Sequence, residues 1–211
     1  MSKTTMIFIR HGYSEANEQN VFAGNYNVHL TELGKEQARL MAEYLKDYKI
    51  DAIYSSDLYR ALETAQPLAA QKKLPVIPNK GLREIDGGEW EEKVFTSLIQ
   101  TYAEEFGAWM NDFENARCTN GESVQEVRKR VTAAVETIAA ENAGKTVCVV
   151  THATPLRVLC YDWLRKPFPE IPYVPNSSVT VVEYEGDKRR VRQLAYAGHL
   201  GSLTTRLPEN V

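Results

Sequence analysis

Arg10-His11-Gly12 follows directly on the apolar run Met6-Ile7-Phe8-Ile9. A cation, an imidazole and a glycine at the end of such a run read as a buried strand delivering a reactive loop. Glycine lets backbone approach a ligand closely, and Tyr13 to Asn17 can open a helix there. Helix N-termini favour anions, so an arginine and a histidine beside one point to phosphate chemistry. The tripeptide alone is common in loops; its weight comes from Arg60, Glu84 and His152. A phosphoryl group in transfer spreads negative charge over its equatorial oxygens, and needs fixed cations, an in-line nucleophile and a proton source for the leaving oxygen. Arg10 and Arg60 offer planar forks matched to phosphate oxygens. Histidine is a covalent nucleophile when its attacking nitrogen is unprotonated and the other is held by a hydrogen bond. Glu84 has a carboxyl able to protonate a departing alkoxide and then deprotonate water, with Asp86 and Glu89 as rivals on the same loop.

The elements that must position these groups alternate along the chain. After the first strand, Thr31 can cap a helix in which Ala38, Met41, Ala42 and Leu45 recur at helical spacing. Ile50 to Tyr54 reads as a short buried strand. Asp57 can cap a second helix with Leu58, Ala61, Leu62, Ala65 and Ala69 on one face, kinked or ended early by Pro67. Leu74 to Ile77 suggests a third strand, and residues 79–92, with Gly81, Gly87 and Gly88, a loop. A stripe of aromatic and aliphatic residues from Phe95 to Phe113 predicts a packed helical cap at about 90–120. Val124 to Ile138 marks the clearest helix, followed by a strand at Thr146 to Thr151, His152, and a helix from about Pro155. Val179 to Tyr184 and Val191 to Ala195 suggest a closing hairpin turned near Gly186-Asp187. Strands separated by amphipathic helices imply an α/β fold, a mostly parallel doubly wound sheet with helices on both faces. In such sheets ligands lie beyond the carboxyl ends of the strands, where Arg10-His11, Ser55-Ser56 and His152 all fall. No internal repeat or linker interrupts residues 1–211, so one domain is expected.

Composition bounds the rest. A net charge of −3 argues against general affinity for nucleic acid or an anionic membrane, so any bound anion needs a local cluster. Cys118, Cys148 and Cys160 match neither a disulfide framework nor paired-thiol zinc spacing, and Cys148 reads as a buried inert thiol. No short-spaced His/Cys/Asp set suggests a metal. Met6 to Ile9 is too short for a signal-peptide core or a spanning helix, and the Asn176-Ser177-Ser178 sequon reads as coincidence. A soluble, reduced, cytoplasmic protein is expected; composition carries no signal for oligomeric state.

Arg10-His11-Gly12 with Asn17, Leu30-Thr31-Glu32-Leu33-Gly34 and Ser55-Ser56-Asp57-Leu58-Tyr59-Arg60-Ala61 together resemble the histidine phosphatase superfamily, the phosphoglycerate-mutase-like proteins. Leu82-Arg83-Glu84, Gly88-Glu89-Trp90-Glu91, Gly121-Glu122-Ser123 and Thr151-His152-Ala153 extend the resemblance, in order, over roughly residues 6–185. It implies that His11 is transiently phosphorylated and that Glu84, rather than Asp86 or Glu89, is the proton donor. It also implies that Arg10, Arg60 and His152 bind the phosphoryl group, with Asn17 and backbone near Ala23-Gly24 closing the pocket. Tyr13, Thr151 and Ala153 depart from the usual pattern, but none removes a charge or a proton carrier.

The expected activity is hydrolysis of small-molecule phosphate esters through a phosphohistidine, without metal or cofactor. Nine acidic residues between Glu84 and Glu114, against Lys93 alone, predict a cap hostile to phosphoglycerate and so favour hydrolase over mutase. Neutral His11 with protonated Glu84 predicts an optimum on the acidic side of neutral. A mutase-type isomerase and a weakly active phospho-ligand binding module are the alternatives.

Overall fold

Along β1 (Thr4–Arg10), Met6 and Phe8 join one apolar cluster while Ile7 and Ile9 join another, and all four are fully buried. A strand buried on both faces belongs in the middle of a sheet covered by helices on each side. The computed structural model describes residues 3–205 and places β1 in that position. Its companions are β2 (Ala52–Ser55), β3 (Val76–Pro78), β4 (Thr146–Thr151), β5 (Val179–Glu185) and β6 (Lys188–Tyr196). The sheet order is β3-β2-β4-β1-β5-β6; the first four are parallel, and β5 and β6 are antiparallel additions at one edge.

The chain leaves β1 through a single turn, α1 (Glu15–Glu18), closed by a capping box between Ser14 and Asn17. α2 (Glu32–Tyr44), capped by Thr31, and α3 (Tyr59–Lys72) cover the Ile7/Ile9 face with Met41, Ala42, Ala61, Ala65 and Leu68. Two short helices, α4 (Phe95–Thr101) and α5 (Ala103–Asn111), lie in the excursion before α6 (Val124–Glu141). α6 and α7 (Ala153–Leu164) cover the Met6/Phe8 face. Helices following the neighbouring strands β1 and β4 thus go to opposite faces, which opens a crevice between those strand ends. Register puts Arg10 beside Thr151, and Ser55 beside Val150, so the three loops depart at nearly one height. Among the described residues no helix is long and apolar enough to cross a membrane.

Three local expectations are corrected. Asp57 does not cap α3, whose N-cap is Leu58 without a side-chain bond; the Asp57 carboxylate forks the Arg83 guanidinium at 2.6 and 2.6 Å. That pair ties the Glu84 loop to the end of β2, and Arg83 holds the Asp57 carboxyl below its usual range. Pro67 does not end α3, which runs on to Lys72. The interior proline costs about 3 kcal/mol, offset by burying Ala61, Ala65 and Leu68 against the sheet. The stripe from Phe95 breaks at Tyr102, and the rings of Tyr102, of Phe106 and Trp109 in α5, and of Phe22 surround the fully buried Trp90. All three cysteines are free and buried, and burial pushes the Cys160 thiol up to about 12 and the other two higher.

Candidate active site

His11 emerges where β1 ends, its amide donating to the Thr151 carbonyl of β4 at 2.9 Å. Its Nδ1 lies 2.7 Å from the Gly12 carbonyl oxygen. A carbonyl only accepts, so Nδ1 carries the proton and Nε2 keeps its lone pair. The ring is almost wholly buried, and desolvation, then the charges of Arg60 and Arg10, hold its pKa well below the ordinary value. Gly12 permits a close backbone approach, though not to a ligand: a side chain there would run 2.6 Å from the Gly34 carbonyl oxygen at the start of α2. The Gly12 amide donates to Thr64 Oγ1 of α3 at 2.9 Å, and that hydroxyl donates to the Arg60 carbonyl at 2.6 Å.

Two guanidiniums flank the imidazole. Arg10 Nη1 donates to the Val174 carbonyl (2.7 Å) and the Tyr173 hydroxyl (3.1 Å). Arg60, fully buried, donates from Nη1 to the Tyr26 carbonyl (2.9 Å) and from Nη2 to the Gly24 carbonyl (2.7 Å). Both spend these bonds on neutral oxygens, which leaves their charge for a ligand. Burial lowers Arg60 to about 10, with Arg10 pushing the same way and Glu84 and Glu91 opposing, so it stays cationic at neutral pH. The Nε atoms of Arg10 and Arg60 and both ring nitrogens of His152 are buried without a partner among the described residues. A buried polar atom left unpaired costs about 1–3 kcal/mol, and such atoms gathered round one imidazole are suited to an anion with several oxygens.

His152, the N-cap of α7, lies beside His11 with ring centroids 5.1 Å apart. Desolvation and then Arg60 keep it neutral as well. Glu84 Oε2 accepts from the amides of Ala153 (3.1 Å) and Thr154 (3.3 Å), and Oε1 accepts from its neighbour Ile85 (2.9 Å). The helix N-terminus facing the site is therefore that of α7, and its amides orient the Glu84 carboxyl. α1, where the sequence pointed to an anion site, closes its own amides through Ser14.

These groups open on a cavity of about 450 Å³. Arg10, His11, Asn17, Ala23, Gly24, Arg60 and Glu84 line it, and His152 adjoins it through its ring contact with His11. Of the three rival carboxyls only Glu84 reaches it; Asp86 accepts from the Gly88 amide, and exposed Glu89 binds Tyr102 and Asn120. The acidic-cap expectation is corrected here, because Glu84 is the sole member of those nine to line the cavity. Its upper wall is apolar instead, with Phe22, Phe95, Trp109, Phe113, Ile171 and Pro172. Phe95 and Trp109 face it, while Trp90 and Phe106 pack behind. His29, stacked on Tyr59 and paired with Glu63, and His199, stacked on Tyr44, lie elsewhere.

Sequence reasoning missed residues 173–178. Asn176 Nδ2 donates to the His11 carbonyl (3.1 Å) and to Asn17 Oδ1 (3.2 Å), and the Ser177 amide donates to the Arg10 carbonyl (3.0 Å). This sequon is buried and braces the His11 loop, leaving no room for a glycan. Thr64 had a legible signal, a hydroxyl on an otherwise apolar helix face. Of the departures, Tyr13 lines the cavity and its hydroxyl donates to the Asn17 carbonyl (3.3 Å), Thr151 Oγ1 donates to the Leu82 carbonyl (2.7 Å), and Ala153 supplies an amide to Glu84.

A doubly wound α/β sheet with this cluster at the β1–β4 crevice defines the phosphoglycerate-mutase-like class of fold. The chain belongs to the histidine phosphatase superfamily (branch 1), whose sequence profile matches residues 6–196. It is 31% identical to phosphoserine phosphatase 1 of Hydrogenobacter thermophilus over 93% of this chain and 94% of that protein. It is 32% identical to phosphoglycerate mutase-like protein 4 of Arabidopsis thaliana over 92% of this chain and 86% of that one. The solved structure of YhfR from Bacillus stearothermophilus superposes with a TM-score of 0.90 at 30% identity, covering 93% of this chain and 99% of that one. The chain is thus an enzyme of the histidine phosphatase class.

Two measurements follow from this geometry. Gly24 has φ +49°, and a side chain there would strike the Glu91 carboxylate, which itself accepts from the Asn25 and Gly87 amides. Gly24→Ala is expected to lose about 1–3 kcal/mol of stability and to raise KM by shifting the carbonyl that holds Arg60. Gly107→Ala, at an open position inside α5, is expected to gain about 0.5–1 kcal/mol, and urea titration of the pair checks the opposite signs.

The second measurement concerns pH. His11 and His152 have folded-state pKa values below the unfolded value, so on acidification the unfolded chain takes up protons that the folded chain refuses. Stability is expected to fall as pH drops below about 6.5, and to level only beneath the folded values. The urea midpoint should decline less steeply in His152→Asn than in the native protein, and equal slopes would refute the neutral-pair assignment.

Proposed function

We propose that this enzyme is a phosphomonoesterase that hydrolyses small-molecule phosphate esters through a phosphohistidine on His11. Nε2 of His11 attacks phosphorus while Arg10, Arg60 and His152 hold the equatorial oxygens, and the P–O bond to the alcohol breaks. Glu84 gives its proton to the departing alkoxide, then takes one from the water that attacks phosphohistidine, releasing phosphate and restoring both groups. The carrying observation is the His11 imidazole, with its tautomer set by the Gly12 carbonyl and unpaired buried nitrogens of two guanidiniums around it.

The cavity wall favours water over isomerisation as the second acceptor. A mutase has to grip a second hydroxyl of a polar sugar acid in line with the phosphohistidine, which the Phe95, Trp109, Phe113 and Ile171 surfaces do not provide for. Phosphatases among the relatives lend the same reading weight.

Rapid alkaline quench during turnover of p-nitrophenyl phosphate, with chelator present, should leave one phosphoryl group on His11 by peptide mass spectrometry. A coupled assay of 3-phosphoglycerate, with and without a bisphosphoglycerate primer, should show hydrolysis exceeding isomerisation. Turnover with an unmodified His11, or isomerisation outpacing phosphate release, overturns the proposal.

A further inference from the structure

Arg157 is a cation on the cavity that the phosphoryl-binding groups leave unused. It lies one helical turn beyond Ala153 on α7, so it shares a face with the amides that hold Glu84, about 6 Å further along the axis. Its guanidinium carbon lies 4.0 Å from the Phe113 ring centroid and 5.8 Å from that of Phe168. Stacking occupies the faces of a guanidinium and leaves its N–H edge for a planar anion.

Among the described residues Arg157 makes no ion pair or side-chain hydrogen bond, and burial alone lowers its pKa. Nearby acids are committed elsewhere: Glu114 accepts from the Tyr161 hydroxyl (3.1 Å), and Asp162 is forked by Arg128. A partly desolvated cation without a counter-charge costs stability, and here it sits in a wall that is otherwise apolar.

Resting on the phosphomonoesterase reading, we propose that Arg157 sets specificity by binding a second anionic group on the leaving half of the substrate. The preferred substrates are then phosphate monoesters whose alcohol carries an apolar body ending in a carboxylate or a second phosphate. The body lies against Phe95, Trp109 and Ile171 while the terminal anion meets the open edge of Arg157. The protein's own net charge of −3 disfavours an extra negative charge on a ligand, so a preference for one has to come from a local cation.

The test compares phenyl phosphate with phenyl phosphates bearing a meta or para carboxylate, and with a benzenediol bisphosphate. The quantity read is the ratio of kcat/KM for charged over uncharged ester. In the native enzyme the best charged ester should be favoured by about 10-fold or more, the scale of one charge-assisted fork. Carboxylate and bisphosphate arms separate the two sources of the anion. In Arg157→Met the ratio should fall to near one, with Arg157→Lys between. General damage slows both esters alike and leaves the ratio standing. A native ratio at or below one, or an undiminished ratio in Arg157→Met, overturns the proposal; if the Met variant does not fold, the native ratio and Arg157→Gln decide. Failure of the phosphomonoesterase reading is distinct, since phenyl phosphate itself would then go unhydrolysed.

Discussion

His11→Ala is expected to lower kcat for p-nitrophenyl phosphate by about four orders of magnitude or more, the scale seen when a covalent nucleophile is removed. The loss should appear in kcat, because Arg10 and Arg60 take their bonds from Val174, Tyr173, Gly24 and Tyr26 rather than from the imidazole. Ester binding should therefore survive, and inhibition constants for inorganic phosphate should move much less than the rate. Stability should change little or rise slightly, since the imidazole is buried neutral between two cations that it does not offset. Residual turnover near the native rate would sink the covalent mechanism. Steady-state kinetics and a urea midpoint, measured together, keep a misfolded variant from being read as an inactive one.

Glu84→Gln should divide the two half-reactions. A poor leaving group such as an alkyl phosphate needs the proton, so its rate is expected to fall by about 10²–10⁴. p-Nitrophenolate leaves unaided, so the first step persists, but water activation does not. The variant should then release a burst of nitrophenol and accumulate phosphorylated His11. The glutamine fits sterically, but its NH₂ cannot accept from the amides of Ala153, Thr154 or Ile85 that the carboxylate now serves. An equal slowing of both esters without accumulation would take the proton from Glu84. Asp86 and Glu89 are poor replacements, because neither lines the cavity.

Much of this site was legible because its signals are local. An apolar run ending in Arg10-His11 is a strand exit whatever surrounds it, and Thr31 before an amphipathic run does cap α2. Where neighbours compete, local reading failed. Asp57 has the chemistry of a cap, yet Arg83, brought near by the fold, offers a charged fork that a helix amide cannot match. Charge counting failed for a similar reason: nine acidic residues in one segment say nothing of which side faces the cavity, and only Glu84 of them lines it.

The sequence by itself determined the order of strands and helices and the placing of His11 beside Arg10 at a strand exit, since strand period, helix period and residue chemistry are carried within a few neighbours. Tertiary structure alone decided what those groups meet. Arg10 is held by a carbonyl 164 residues away, and the His11 carbonyl by an amide 165 residues away. It also decided that Arg157 stands unpaired among the described residues in an apolar wall, because the absence of a partner depends on the packing of distant segments and not on any one of them.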